Sequence, residues 1–203
     1  MDDVERAVAA LEQGGVIVYP TETLYGLGVD ASRAQAVDHL LDLKERDRDK
    51  PISVLVASRA MLDDVASSVS AVAERLIAAF WPGPLTIALP ARSAVLPPLT
   101  AGSGTIAARV SSHPIAQAIV TGLGRPLTAT SANPGGSPPA RNTAAARAYF
   151  GSHVDLYVDA GSSAHGLAST VVDCSASVPR LVREGAVALG ALEAAAGMRL
   201  RRE

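Results

Sequence analysis

Short apolar runs of strand length alternate with amphipathic helical periods through the first two thirds of this chain. In the last third, strands crowd together. That order predicts an α/β fold with flanking helices around an open, twisted mixed sheet. The runs at 16–19, 52–57, 85–89, 105–110, 127–130, 154–158, 169–174 and 180–183 read as strands. Asp3 is placed to cap a first helix that ends at Gly14-Gly15, and Ser32 with Gln35 makes a capping-box pattern for a second. Further helical patterns cover 59–66 and 70–80, and Pro114 suits a first helical turn over 114–122. Asn142 can cap a helix to Phe150, a last helix covers 189–196, and the tail 197–203 is expected to fray. There is no internal repeat and no linker, so 1–203 is expected to be a single domain with a core at about 5–190.

The apolar share is 48% but aromatics are only 3%, so the core must be built from Ala, Val, Leu and Ile. The net charge of −2 argues against an overall basic nucleic-acid binder, though it leaves room for a local basic cleft. A lone cysteine, Cys174, excludes a disulfide within the chain and reads as a small buried hydrophobe. The acidic start, Met1-Asp2-Asp3, is no signal peptide, and no apolar run reaches membrane-spanning length. The expectation is a cytoplasmic protein with no membrane contact.

Polar residues concentrate at strand ends in four places. Both lysines of the chain, against sixteen arginines, fall in Lys44-Glu45-Arg46-Asp47-Arg48-Asp49-Lys50-Pro51, ahead of an apolar run. Compact ammonium groups kept where arginine is otherwise preferred point to phosphate binding. The same run also fits a solvated helix end with alternating charges. In Tyr19-Pro20-Thr21-Glu22-Thr23-Leu24-Tyr25-Gly26-Leu27-Gly28, two glycines allow a close backbone approach, without any dinucleotide or Walker spacing. It fits a tight strand-to-turn corner equally well. Alternation places Thr105, Ala107 and Arg109 on one strand face, where the guanidinium could hold a carboxylate or form a structural ion pair. Thr128-Ala129-Thr130-Ser131-Ala132-Asn133 ends a strand with hydroxyls and an amide, which could read a small polar ligand or simply make a turn. His113, His153 and His165 do not cluster in sequence and fit loop or cap positions.

In this order, PTETLYGLG, KERDRDKP, FWPGPLT, TIAARV, TSANPGG, STVVD and LVREG resemble the YrdC-like family of threonylcarbamoyl-AMP synthases, from about Val16 to Gly185. The longer members carry an additional C-terminal domain, which a chain of this length is not expected to contain. The resemblance implies a deep basic concave face on the sheet. It also implies a nucleotidyltransferase that makes L-threonylcarbamoyl-AMP and pyrophosphate from L-threonine, bicarbonate or CO2, and ATP, for t6A modification of tRNA. Carried over by motif, Lys44, Arg46 and Lys50 would hold the ATP phosphates and carry the catalysis. Thr105, Asn133 and Arg183 would contact the nucleotide, and Arg109, Thr23, Ser131 and Ser169 would contact threonine. Arg141 could reach the nucleotide, although Pro139-Ala140-Arg141 replaces the family's common Ser-Pro-Thr. Arg109-Val110-Ser111 lacks the proline common after the clamp arginine.

Mg2+ is expected to come with ATP, without a dedicated protein site. Transferase partner proteins of the t6A pathway and a weak RNA contact are further implied partners. Two rivals remain at this level. One is a carbamoyl-transfer module as used in hydrogenase maturation, which normally comes with acylphosphatase-like and zinc-finger regions not found here. The other is a non-catalytic RNA-binding protein, which the scarcity of aromatic stacking faces disfavours.

Overall fold

The computed structural model describes residues 1–163 and 166–202. Among these, eight α-helices and eleven strands form in an interleaved order. They are α1 (Asp3–Glu12), β1 (Ile17–Tyr19), β2 (Gly26–Gly28), α2 (Ala34–Leu43), β3 (Val54–Leu55), α3 (Arg59–Leu62), α4 (Ala71–Phe80), β4 (Leu85–Pro90), α5 (Pro97–Thr100) and β5 (Thr105–Arg109). There follow α6 (Pro114–Leu123), β6 (Leu127–Thr128), β7 (Thr130–Ser131), α7 (Thr143–Phe150), β8 (Leu156–Tyr157), β9 (Thr170–Asp173), β10 (Arg180–Arg183), α8 (Leu189–Ala196) and β11 (Arg201–Arg202).

The strands divide into two open sheets, where sequence reading expected one. The larger runs β11-β10-β9-β4-β5-β3-β6 and the smaller β7-β2-β1-β8. Both are mixed: β4 pairs antiparallel with β5 and parallel with β9, and β1 pairs antiparallel with β2 and parallel with β8. The break falls after Thr128. β6 pairs with β3, and two residues later β7 pairs with β2, so one chain segment serves both sheets. A bridge between Asp30 and Leu127 ties them at the same corner.

Two apolar clusters cover the sheets. The larger gathers α2, α4, α7 and α8 residues such as Leu40, Leu76, Phe150 and Leu192 against Val18, Leu27, Ile87 and Val172. The smaller packs Leu11 of α1 and Ile119 and Leu123 of α6 on Ile17, Leu55 and Leu127. As the composition requires, nearly all of this is aliphatic. Tyr19 and Tyr25 are the largest fully buried aromatics among the described residues. The Tyr19 ring lies over β2, where a Cβ on Gly26 or Gly28 would come within 2.7 Å of it. Its hydroxyl donates to the Thr128 carbonyl at 2.9 Å. The two glycines therefore admit an aromatic side chain, and what approaches them closely is the protein itself.

Three local expectations are corrected. Asp2, not Asp3, caps α1, forming a full capping box with Glu5. Ser32 does not cap α2: its N–H and hydroxyl both bond Asp30, and the cap position passes to Arg33. The tail does not fray through 201–202, because β11 pairs parallel with β10 and Leu200 is buried, its N–H donating to Glu193.

Candidate functional site

The larger sheet is short of bulk along one line of its face. In β5, Ile106 and Ala108 point into the core, while Ala107 and Arg109 face a cavity of about 300 Å³. Pairing extends that face sideways. Thr86 of β4 is opposite Val171 of β9, which is opposite Arg183 of β10, and all three line the same cavity. Alternation puts Arg109 and Thr86 on this face, and a register irregularity between Leu181 and Arg183 turns Arg183 onto it, opposite Val171 instead of on the core side with Leu181.

Each of these side chains is held. Arg109 is 7% exposed, and its Nη1 donates to Glu22 Oε1 at 2.6 Å and to Thr23 Oγ1 at 3.3 Å. Ser111 donates from its hydroxyl to Glu22 Oε2. Ser169 shares a 2.9 Å hydrogen bond with Thr86, and Arg183 donates from Nη2 to the Ser169 carbonyl at 2.8 Å. Burial, and then the nearby charge of Arg109, push the Arg183 guanidinium down from its ordinary value. Thr23 and Tyr25 from the loop before β2, Gly26 and Ser131 from the smaller sheet, and Ala129 between β6 and β7 also line the cavity.

A second cavity, also about 300 Å³, adjoins the first through Arg46 and Ser131. It is edged by Lys44, Lys50, Asn133 and Gly135. Here loops do the positioning. Helix α2 ends at Lys44, and Glu45 follows in a left-handed conformation at φ 49°. Arg46 then folds the loop on itself, donating from Nε to the Lys50 carbonyl at 3.3 Å and from Nη2 to the Pro51 carbonyl at 2.9 Å. Lys44 turns inward, 2% exposed, and donates from Nζ to the Ser131 and Asn133 carbonyls, each at 2.5 Å. Burial lowers its pKa to about 7, and the Arg46 charge adds to the effect. Lys50 points out, 68% exposed, with Asp47 at 4.0 Å. Asn133 donates to the Pro134 and Ser137 carbonyls, leaving its buried Oδ1 without a partner among the described residues.

The expected site residues therefore fall into three groups. Thr23, Arg46, Arg109, Ser131, Ser169 and Arg183 meet in the first cavity. Lys44, Lys50 and Asn133 line the second. Thr105 and Arg141 line neither: Thr105 shares its strand face with Arg109 but bonds Ser103, and Arg141 accepts the Ser163 N–H on its carbonyl. Glu22, noted in the sequence beside Thr21 and Thr23 at a strand end, and Thr86 were not among the expected site residues. Thr86 had a legible signal, a lone hydroxyl alternating with Leu85 and Ile87. His113 caps α6, His153 belongs to the 3-10 turn Gly151–His153, and His165 lies outside the described residues. Among the described residues no group of three or more His, Cys, Asp or Glu side chains is placed to hold a metal ion. No helix there is long and apolar enough to cross a membrane.

A cleft at the junction of two open sheets carries arginines in its floor and a lysine-arginine loop at its lip, the layout of a protein whose site is complementary to small anionic groups. The chain belongs to the Sua5/YciO/YrdC family, whose model, described as "Telomere recombination", matches residues 9–185. It is similar to the threonylcarbamoyl-AMP synthase of Halorhodospira halophila, 41% identical over 76% of this chain and 81% of that protein. It is also similar to the threonylcarbamoyl-AMP synthase of Bacillus subtilis, 35% identical over 96% of this chain and 56% of that protein. The structure of P. abyssi Sua5 complexed with L-threonine superposes with a TM-score of 0.95 at 33% identity. That match covers 98% of this chain and 58% of the P. abyssi chain.

Proposed function

We propose that this chain is an L-threonylcarbamoyladenylate synthase, acting in the cytoplasm, whose product serves t6A modification of tRNA. The observation that carries this is the adjacency of the two cavities. A carboxylate-pairing arginine on a rigid strand lies beside a loop of phosphate-type cations, joined through Arg46 and Ser131. Threonine would occupy the first cavity, its carboxylate on Arg109 with Thr23, Ser131 and Ser169 around it. The triphosphate would run along Arg46 and Lys50 towards Lys44, which in its protonated form keeps one N–H after bonding two carbonyls. Asn133, Arg183, Thr105 and Arg141 are the proposed nucleotide contacts, the last two only after movement towards the cavity.

The chemistry asks for positioning and charge stabilisation. The threonine amine adds to CO2, forming an N–C bond and releasing a proton, which gives a carbamate. A carbamate oxygen then attacks the α-phosphorus, and the bond to the β-phosphate oxygen breaks, so that pyrophosphate leaves with the electron pair. Arg46 and Lys50 stabilise the charge that builds on the departing oxygens, and Arg109 fixes the nucleophile. Mg2+ carried in by ATP would offset further charge, coordinated by phosphate oxygens and water. The adenylate is a mixed anhydride prone to hydrolysis, which favours direct hand-off to a transferase.

The test is pyrophosphate release from ATP with threonine and bicarbonate supplied together or omitted singly. Release that requires all three, with threonylcarbamoyl-AMP as the product by mass, is the expected result. Release at the same rate without threonine would overturn the reading.

A further inference from the structure

Glu22 has no assigned part in the site just described, yet both of its carboxylate oxygens are engaged. Its backbone is fixed first. Thr21 Oγ1 accepts from the N–H groups of Thr23 and Leu24, both at 3.2 Å, and donates to the Leu24 carbonyl at 2.6 Å. This locked turn sets Glu22 between Arg109 and Ser111. Oε1 takes the Arg109 Nη1–H at 2.6 Å, and Oε2 takes the Ser111 hydroxyl. Ser111 is in turn held by the His113 N–H at 3.2 Å and is 1% exposed.

The arginine is therefore gripped at one nitrogen. Nη1 serves Glu22 and Thr23, while among the described residues Nε and Nη2 of Arg109 make no hydrogen bond. Nε and Nη2 share one edge of the guanidinium plane, the edge that meets a carboxylate with two parallel N–H···O bonds. A long side chain with four rotatable bonds would not keep that edge in place unaided. Here Nη1 is pinned at the far corner.

We infer that Glu22 is a positioning residue. Through Arg109, and with Ser111 bracing it, it fixes the two-pronged edge that receives the amino-acid carboxylate. The inference rests on the threonylcarbamoyl-AMP synthase reading. Glu22 touches no substrate in this account. It also offsets the Arg109 charge beside Arg183, so the floor attracts one carboxylate without becoming a general anion trap.

The test is calorimetric titration of three probes into wild type, Glu22→Gln and Ser111→Ala: L-threonine, ATP, and L-threoninol, which has a hydroxymethyl group in place of the carboxylate. Glu22→Gln should weaken L-threonine by about tenfold, the scale of one charge-assisted hydrogen bond. Ser111→Ala should weaken it less. ATP affinity should be unchanged, and L-threoninol should bind all three proteins equally. Unchanged or tighter threonine binding in a folded Glu22→Gln protein would overturn the inference, the tighter result marking Glu22 as a competitor for Arg109. A parallel loss for all three probes would overturn it too, since that is the mark of a generally disturbed fold. Should Glu22→Gln not fold, Ser111→Ala carries the same comparison. Wild type that binds ATP but no threonine would remove the synthase reading, and this inference with it.

Discussion

The two halves of the cleft are built by opposite means. On the sheet floor, Arg109, Thr86 and Arg183 ride on hydrogen-bonded strands, and their side chains are already paired. At the lip, Arg46, Lys50 and Asn133 ride on loops that close on their own carbonyls, and Lys50 stands in solvent. On the proposed function, the floor would suit a small rigid ligand of fixed shape. On the same reading, the lip would adjust to a long flexible polyanion whose phosphates shift along the reaction path. A site of this kind separates recognition from charge stabilisation by placing them on scaffolds of different stiffness.

If that contrast holds, the lip should be the more sensitive in turnover and the less sensitive in fold. Lys50→Ala should nearly abolish pyrophosphate release while leaving the melting transition in place, because an exposed ion pair such as Lys50–Asp47 contributes only about 0–1 kcal/mol. Near-normal turnover in a folded variant would make Lys50 a surface charge and erase the distinction.

The floor should answer differently. Arg109→Lys keeps a charge but loses the fork, so threonine affinity should fall roughly ten- to a hundredfold with ATP affinity unchanged. Separate titrations of the two ligands check this, and weakened ATP with intact threonine would reverse the assignment. Stability should fall too, since Glu22 would be left half-buried with a poorer partner.

Lys44 joins the halves, and its burial makes a pH signature. Its pKa lies near 7 in the fold, against an ordinary 10.5. Between those values the unfolded chain holds a proton that the folded chain does not, so the lysine's contribution to stability grows as pH rises from about 7 to 10.5. It is flat outside that window. Denaturant melts of wild type and Lys44→Met at pH 6, 8 and 10 should therefore diverge upward with pH in favour of wild type. Parallel curves would mean that the two carbonyls hold Lys44 charged throughout.

The smallest effect belongs to Glu45. A non-glycine residue at φ 49° carries strain of about 1–2 kcal/mol, and glycine there gives back roughly 0.5–1 kcal/mol in chain entropy. Glu45→Gly should thus raise stability slightly, by about 0.5–1 kcal/mol in a denaturant titration. A clear loss would show that the side chain, and not the turn, is what the loop needs.

How much of this was legible beforehand follows the range of the physics. Pro114 at the start of α6 and Asn142 capping α7 are local rules, and both appear as read. Strands β4, β5 and β10 were visible as short runs of strand length, β5 also in its alternation. Strand β2 was not, because Gly-Leu-Gly has little strand propensity and is held extended by Tyr19 across the ladder. Strand β11 was hidden for the same kind of reason: two exposed arginines pair only because β10 offers an edge. In the site, residue types indicated which cations and hydroxyls to consider, but not their partners. That Lys44 turns inward to two carbonyls, and that Glu22 meets Arg109 across 87 positions of sequence, are long-range facts that no spacing encodes.

The Tyr19 ring bears on how this cleft could be redesigned. Its hydroxyl grips the Thr128 carbonyl, three residues before Ser131 of the cleft wall, while its ring leaves no room for a methyl on Gly26 or Gly28. A library aimed at a bulkier amino acid would waste its diversity on those glycines. Any side chain there would tilt the ring and drag the wall with it. Ala107 and Ala129 also line the cavity without supporting an aromatic plug, and they are the positions where an engineer could reshape its volume while the hinge between the two sheets stays as it is.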